Sequence, residues 1–158
     1  MYHILVADAR ERSILVCKEN LCLPALKCDG LIGTEIDNLC AFVRAGLNIG
    51  FDITFLRHGC EELEGSSYST TLLVFEALDG NVSPAPANCT WVPHTKADAI
   101  TVDPRKSSVV QYLKDCKTHW LGIHPENFWP YSRTGWFAET RSWMSERLAR
   151  NGVDVKST

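Results

Sequence analysis

Nowhere does the chain hold the roughly 20 consecutive apolar residues that a membrane helix requires, so a membrane-spanning role is not expected. The apolar run near the start, centred on Ile4 to Ala7, lacks a basic lead and stops at Asp8. It is too short for the apolar region of a secretory signal, and the expected location is cytoplasmic. The excess of one sign of charge is also small: the net charge is -3 over 158 residues, which supplies no footprint for nucleic acid or for anionic lipid. Seven cysteines include no C-x-x-C pair, so a disulfide framework or a paired-cysteine zinc site is not expected. The spacing of Cys116, His119 and His124 could chelate zinc only with a ligand from elsewhere, and the expected metal complement is none. The chain has no Walker loop, no G-x-G-x-x-G and no G-x-S-x-G elbow, so the phosphate cradle, dinucleotide site and activated serine of those motifs are missing.

What is present is an ordinary globular composition, 45% hydrophobic and 22% charged, in a chain long enough to bury a core. Ile4 to Ala7 and Ser13 to Cys17 read as a hairpin around a charged turn. Leu21 to Leu23 form a third short apolar piece before Pro24. A helix is expected after Gly33, capped by Thr34 with Asp37 three residues on. Its apolar stripe is Ile36, Leu39, Cys40, Val43 and Leu47, and Gly50 is the expected terminator. Phe51, Ile53 and Phe55 alternate with polar residues as in a half-buried strand, and Glu61 to Ser67 reads as an acidic loop. Thr70 to Ala77 is the clearest strand. Trp91-Val92-Pro93 predicts a brief strand, and a second helix is expected over about 104–116, with Val109, Val110 and Leu113 inward.

The last third is rich in aromatics and predicts a helix over about 134–150. On it Trp136, Phe137, Thr140, Trp143, Met144, Arg147 and Leu148 share one face. Trp136, Phe137, Trp143 and Met144 are the candidate interface residues, facing the domain, a partner or a second copy of the chain. The expected division is 1–118 for the α/β domain and 119–158 for the aromatic extension.

The stretch from Asp29 to Phe51 resembles a Nudix box, G-x5-E-x7-R-E-U-x-E-E-x-G-U with U a bulky apolar residue. Glu35 falls on the first Glu, Gly50 on the late Gly and Phe51 on the final apolar position. Elsewhere it departs: Val43 stands for the Arg, Arg44 for the Glu beside it, Leu47 and Asn48 for the later Glu pair, and Gly30 is one place late. Those glutamates hold hard dications against a diphosphate, so the resemblance implies the fold without its catalytic metal: a mixed β-sheet flanked by helices. Glu35, Arg44, Glu61, Glu62 and Glu64 are the candidate ligand-binding residues. Arg44 is either an exposed helical arginine or a guanidinium that takes phosphate in place of the metal.

A second resemblance lies in Pro130-Tyr131-Ser132-Arg133-Thr134-Gly135-Trp136-Phe137, followed by Glu139 and Trp143. It is similar to the stretch joining a Nudix-like domain to an aminoglycoside-phosphotransferase-type kinase domain in certain bacterial proteins, with Thr134 in place of the usual Pro. The kinase's own H-x-D-x-x-x-x-N is absent. The expected function is therefore a non-catalytic Nudix-like accessory or ligand-binding domain, without a cofactor, associated in cis with a kinase-like phosphotransferase. Two alternatives stand beside it: a divergent Nudix hydrolase acting on a nucleoside diphosphate derivative, and a homodimeric interaction module.

Overall fold

A computed structural model describes residues 1–27, 36–63, 67–78, 84–102, 109–114 and 136–151. Six strands form one mixed sheet: β1 (Tyr2–Asp8), β2 (Ser13–Cys17), β3 (Ala25–Leu26), β4 (Ile53–Leu63), β5 (Ser67–Ala77) and β6 (Cys89–Pro93). The order is β4-β5-β1-β2-β6, with β3 also paired to β1. β1 and β5 run parallel, with Ala7 opposite Glu76, and the other pairings are antiparallel. Helices α1 (Ile36–Leu47) and α3 (Trp136–Arg150), the helical residues 109–114 (α2) and a 3-10 turn, His94–Ala99, complete the described structure. Among the described residues no helix is long and apolar enough to cross a membrane.

Strand alternation divides the core in two. Ile4, Val6, Leu15, Leu73 and Phe75 meet Leu39 and Val43 of α1 on one face. Leu5, Ala7, Ile14, Val16, Leu72 and Val74 meet Ala97, Val109, Tyr112 and Leu113 on the other, where Phe137 of α3 also packs. Because both faces are covered, the central strands carry continuous apolar runs, as in LLVF of β5. β4 changes parity at a register shift between Phe55 and Arg57: Leu56 lies on the α2 side, opposite to Ile53 as alternation requires, and Arg57, facing Val74, joins it there with its guanidinium 4.4 Å from the Tyr112 ring centroid. An extra residue in one strand has that effect.

The structure departs from the sequence reading at several elements. Of the acidic stretch expected as a loop, Glu61 to Leu63 and Ser67 are strand, since β4 runs on to Leu63 and pairs with β5 as far as Leu63 opposite Ser67, while 64–66 lie outside the described residues. A long antiparallel partner satisfies the backbone and overrides the weak strand preference of glutamate. The third strand is Ala25–Leu26, just beyond the apolar piece Leu21 to Leu23, in which Cys22 makes an isolated bridge to Thr101. Ile36 is 53% exposed and so leaves the apolar stripe of α1. In α2 it is Tyr112 rather than Val110 that joins Val109 and Leu113 in the core.

α1 ends on Asn48, not Gly50. Asn48 takes φ 53, the Ile49 N–H donates to the Arg44 carbonyl at 2.9 Å and the Asn48 N–H to that of Ala45 at 3.3 Å. This pair of bonds closes a helix whose next residue is left-handed, a conformation that asparagine tolerates through its short polar side chain. The Thr34 cap lies outside the described residues.

Candidate functional site

Along α1 the positions at which the sequence departs from the box it resembles are engaged in structure. Val43, at the place of the box arginine, is fully buried. Arg44, at the place of the adjacent glutamate, is ion-paired to Asp52, with its Nη1 2.7 Å from the Asp52 Oδ1 and the two side chains 41% and 62% exposed. Leu47 is half-buried against the α1 core, and Asn48 is the left-handed residue that closes the helix. A valine in the core, a neutralised guanidinium and a helix-terminating amide offer a dication no oxygen cluster. The described residues of the box therefore do not fit the metal that the resemblance would call for.

The described ligand-binding candidates lie on two elements. Glu61 and Glu62 lie in the far half of β4, opposite Ser69 and Tyr68 of β5, whereas Arg44 is on α1. Glu35 and Glu64 are outside the described residues, as are Cys116, His119 and His124. Among the described residues no group of three His, Cys, Asp or Glu is arranged to hold a metal ion. Of the interface candidates, Phe137 packs on the core and stacks edge-on against Trp136, ring centroids 4.8 Å apart. Trp143 and Met144 face outward, 59% and 50% exposed, and the Arg147 guanidinium lies 5.5 Å from the Trp143 ring centroid.

A different site emerges at the carboxyl ends of the parallel pair β1 and β5. Asp8 closes β1 and Glu76 lies next to the end of β5, and both are buried, at 3% and 1% exposure. They line a cavity of about 540 Å³ with Arg10, Leu78 and, from α3, Phe137, Glu139, Arg141, Ser142 and Ser145. Sheet geometry favours this place: side chains beyond the carboxyl ends of parallel strands are free of the ladder and converge on a crevice. Asp8 bends the chain there, its Oδ1 accepting the Arg10 N–H at 2.9 Å and the Glu11 N–H at 3.3 Å. This is an Asx turn, for which a short carboxylate is suited. Arg141 ties α3 to the strand end by donating to the Leu78 carbonyl at 3.1 Å.

Sequence reasoning passed over this site because Asp8 read as part of a polar turn and Glu76 as a member of a strand. The available signal was a carboxylate embedded in an apolar run, LLVFEA. A charge in a strand buried on both faces is costly and needs a reason.

A third cluster is made of thiols. Cys17 faces Cys89 across the β2–β6 ladder, and its N–H donates to the Cys22 carbonyl at 2.9 Å. Burial, then the neighbouring Cys22, pushes the Cys17 thiol from 9.0 up to about 11, and burial likewise raises Cys89. A thiol so raised stays protonated and reacts slowly at neutral pH. Because the folded value exceeds the unfolded one, the associated stability is fully present below pH 9.0 and is lost as pH rises through about 11. Urea midpoints measured from pH 8 to pH 11 should fall across that window. A midpoint that stays flat there in the wild type, or falls equally in Cys17→Ala, would contradict the burial of this thiol.

Compared with models of protein families and with curated proteins, the chain matches none.

Proposed function

We propose that the chain is a non-hydrolytic ligand-binding domain on a Nudix-like scaffold, acting as an accessory module to a kinase-like phosphotransferase domain. The observation that carries this reading is the Arg44–Asp52 pair at 2.7 Å, which puts a cation where the box needs a metal-binding anion. The cavity at the ends of β1 and β5 gives such a domain a place for a ligand away from α1. Its size is in the range of small-metabolite sites. Trp143 and Met144, outward on α3, are the surface that an adjoining domain would cover, and the similarity of 130–143 to a junction with a kinase domain is the reason for naming that partner.

The test is hydrolysis. Purified protein incubated with nucleoside diphosphate derivatives in magnesium or manganese is expected to release no product above the uncatalysed rate. Metal-dependent turnover that Glu35→Gln abolishes would overturn the reading in favour of a divergent hydrolase.

A further inference from the structure

Within the ligand-binding reading, we propose that the cavity between the ends of β1 and β5 and helix α3 binds a small zwitterion, its ammonium group on the Asp8 carboxylate and its anionic end toward Arg141. The proposal rests on the Asp8 oxygens. Oδ1 is occupied by the two N–H groups of its turn. Oδ2 is buried and has no hydrogen-bond partner among the described residues, although Asp8 lines a cavity large enough for a metabolite. Leaving a buried carboxylate oxygen unsatisfied is costly, and a donor arriving with a ligand removes that cost.

The rest of the lining decides what kind of donor. A divalent ion wants about six oxygen ligands, and the described residues include no three-membered acidic, cysteine or histidine group arranged for one. One open oxygen suits one N–H, and an ammonium makes that bond charge-assisted. Glu76 and Glu139 add negative charge to the lining, which disfavours a plain anion, while Arg10 and Arg141 oppose a second cation. A molecule with one group of each sign satisfies both halves. Ser142 and Ser145 add hydroxyls for its middle.

Three compounds with one five-carbon skeleton separate the charge patterns: 5-aminopentanoate, 1,5-diaminopentane and glutarate. Each is titrated, with a chelator present, into the isotope-labelled full chain while the backbone amides of Ala9, Arg10 and Leu78 are followed by NMR. Saturable shifts are expected with 5-aminopentanoate, weaker binding with the diamine and the weakest with glutarate. Asp8→Asn keeps an acceptor for the turn and removes the charge, and should weaken 5-aminopentanoate about tenfold or more. Arg141→Gln, on the surface of α3, should weaken it as well while strengthening the diamine, so the idea remains testable if the Asp8 variant misfolds. Glutarate binding best, the diamine binding as well as the zwitterion, no shift with any of the three, or equal affinity in a folded Asp8→Asn would each overturn the proposal. Metal-dependent hydrolysis would instead overturn the non-hydrolytic reading, and a titration run in chelator does not report on it.

Discussion

Val43→Arg is expected to lower stability by about 3–5 kcal/mol, or to prevent folding, even though it would bring the sequence nearer to the box it resembles. Val43 is fully buried among Leu39, Ile49, Phe51 and Phe75, where α1 meets the sheet. A guanidinium there would lose its hydration, find no acid in that apolar cluster and force the neighbours apart, and each effect alone costs more than a surface change. Urea denaturation followed by circular dichroism measures the loss. A midpoint within experimental scatter of the wild type would mean that α1 does not sit on the sheet by this face. An arginine at this position is therefore incompatible with the packing of α1 on the sheet. The sequence has committed the residue to packing.

Much of the sheet was legible because its strands are defined by local patterns. Phe51, Ile53 and Phe55 alternate, TTLLVFEA is a long β-prone run, and the charged turn at Asp8 to Arg12 separates two apolar segments that pair as β1 and β2. What was not legible depended on partners far along the chain. Glu61 and Glu62 are strand residues because β5 lies opposite, and no local preference of glutamate announces that. Asn48 ends α1 because Ile49 must reach the apolar side of the sheet, where it is 5% exposed; glycine two residues on was the stronger sequence cue and lost to that geometry. The cavity at the strand ends brings Asp8, Glu76 and Arg141 together from three distant segments. Only the burial of Asp8 and Glu76 and the parallel pairing of β1 with β5 reveal it. At the positions where the sequence departs from the box it resembles, Val43 is a core residue, Arg44 is ion-paired and Asn48 ends the helix.

Phe75→Ala should cost about 3–5 kcal/mol, the usual range for deleting a buried ring, and should leave ligand binding intact in whatever fraction remains folded. Phe75 is fully buried and meets the Phe55 ring edge-on, centroids 5.6 Å apart at 65°, an arrangement that adds to its area burial. Domains of this size are stable by only about 5–15 kcal/mol, so the loss is a large share of the total and is readable as a lower urea midpoint. Strand alternation separates the two effects. Phe75 points to the α1 face, while Val74 packs on the face covered by α2 and α3, and Glu76 shares its parity. A cavity made on the α1 side therefore leaves the lining of the strand-end site in place, and titration of the folded variant with 5-aminopentanoate should match the wild type. If Phe75→Ala abolished that binding while its sheet remained folded, the two faces would be coupled through β5, and the assignment of packing to one side and recognition to the other would fail.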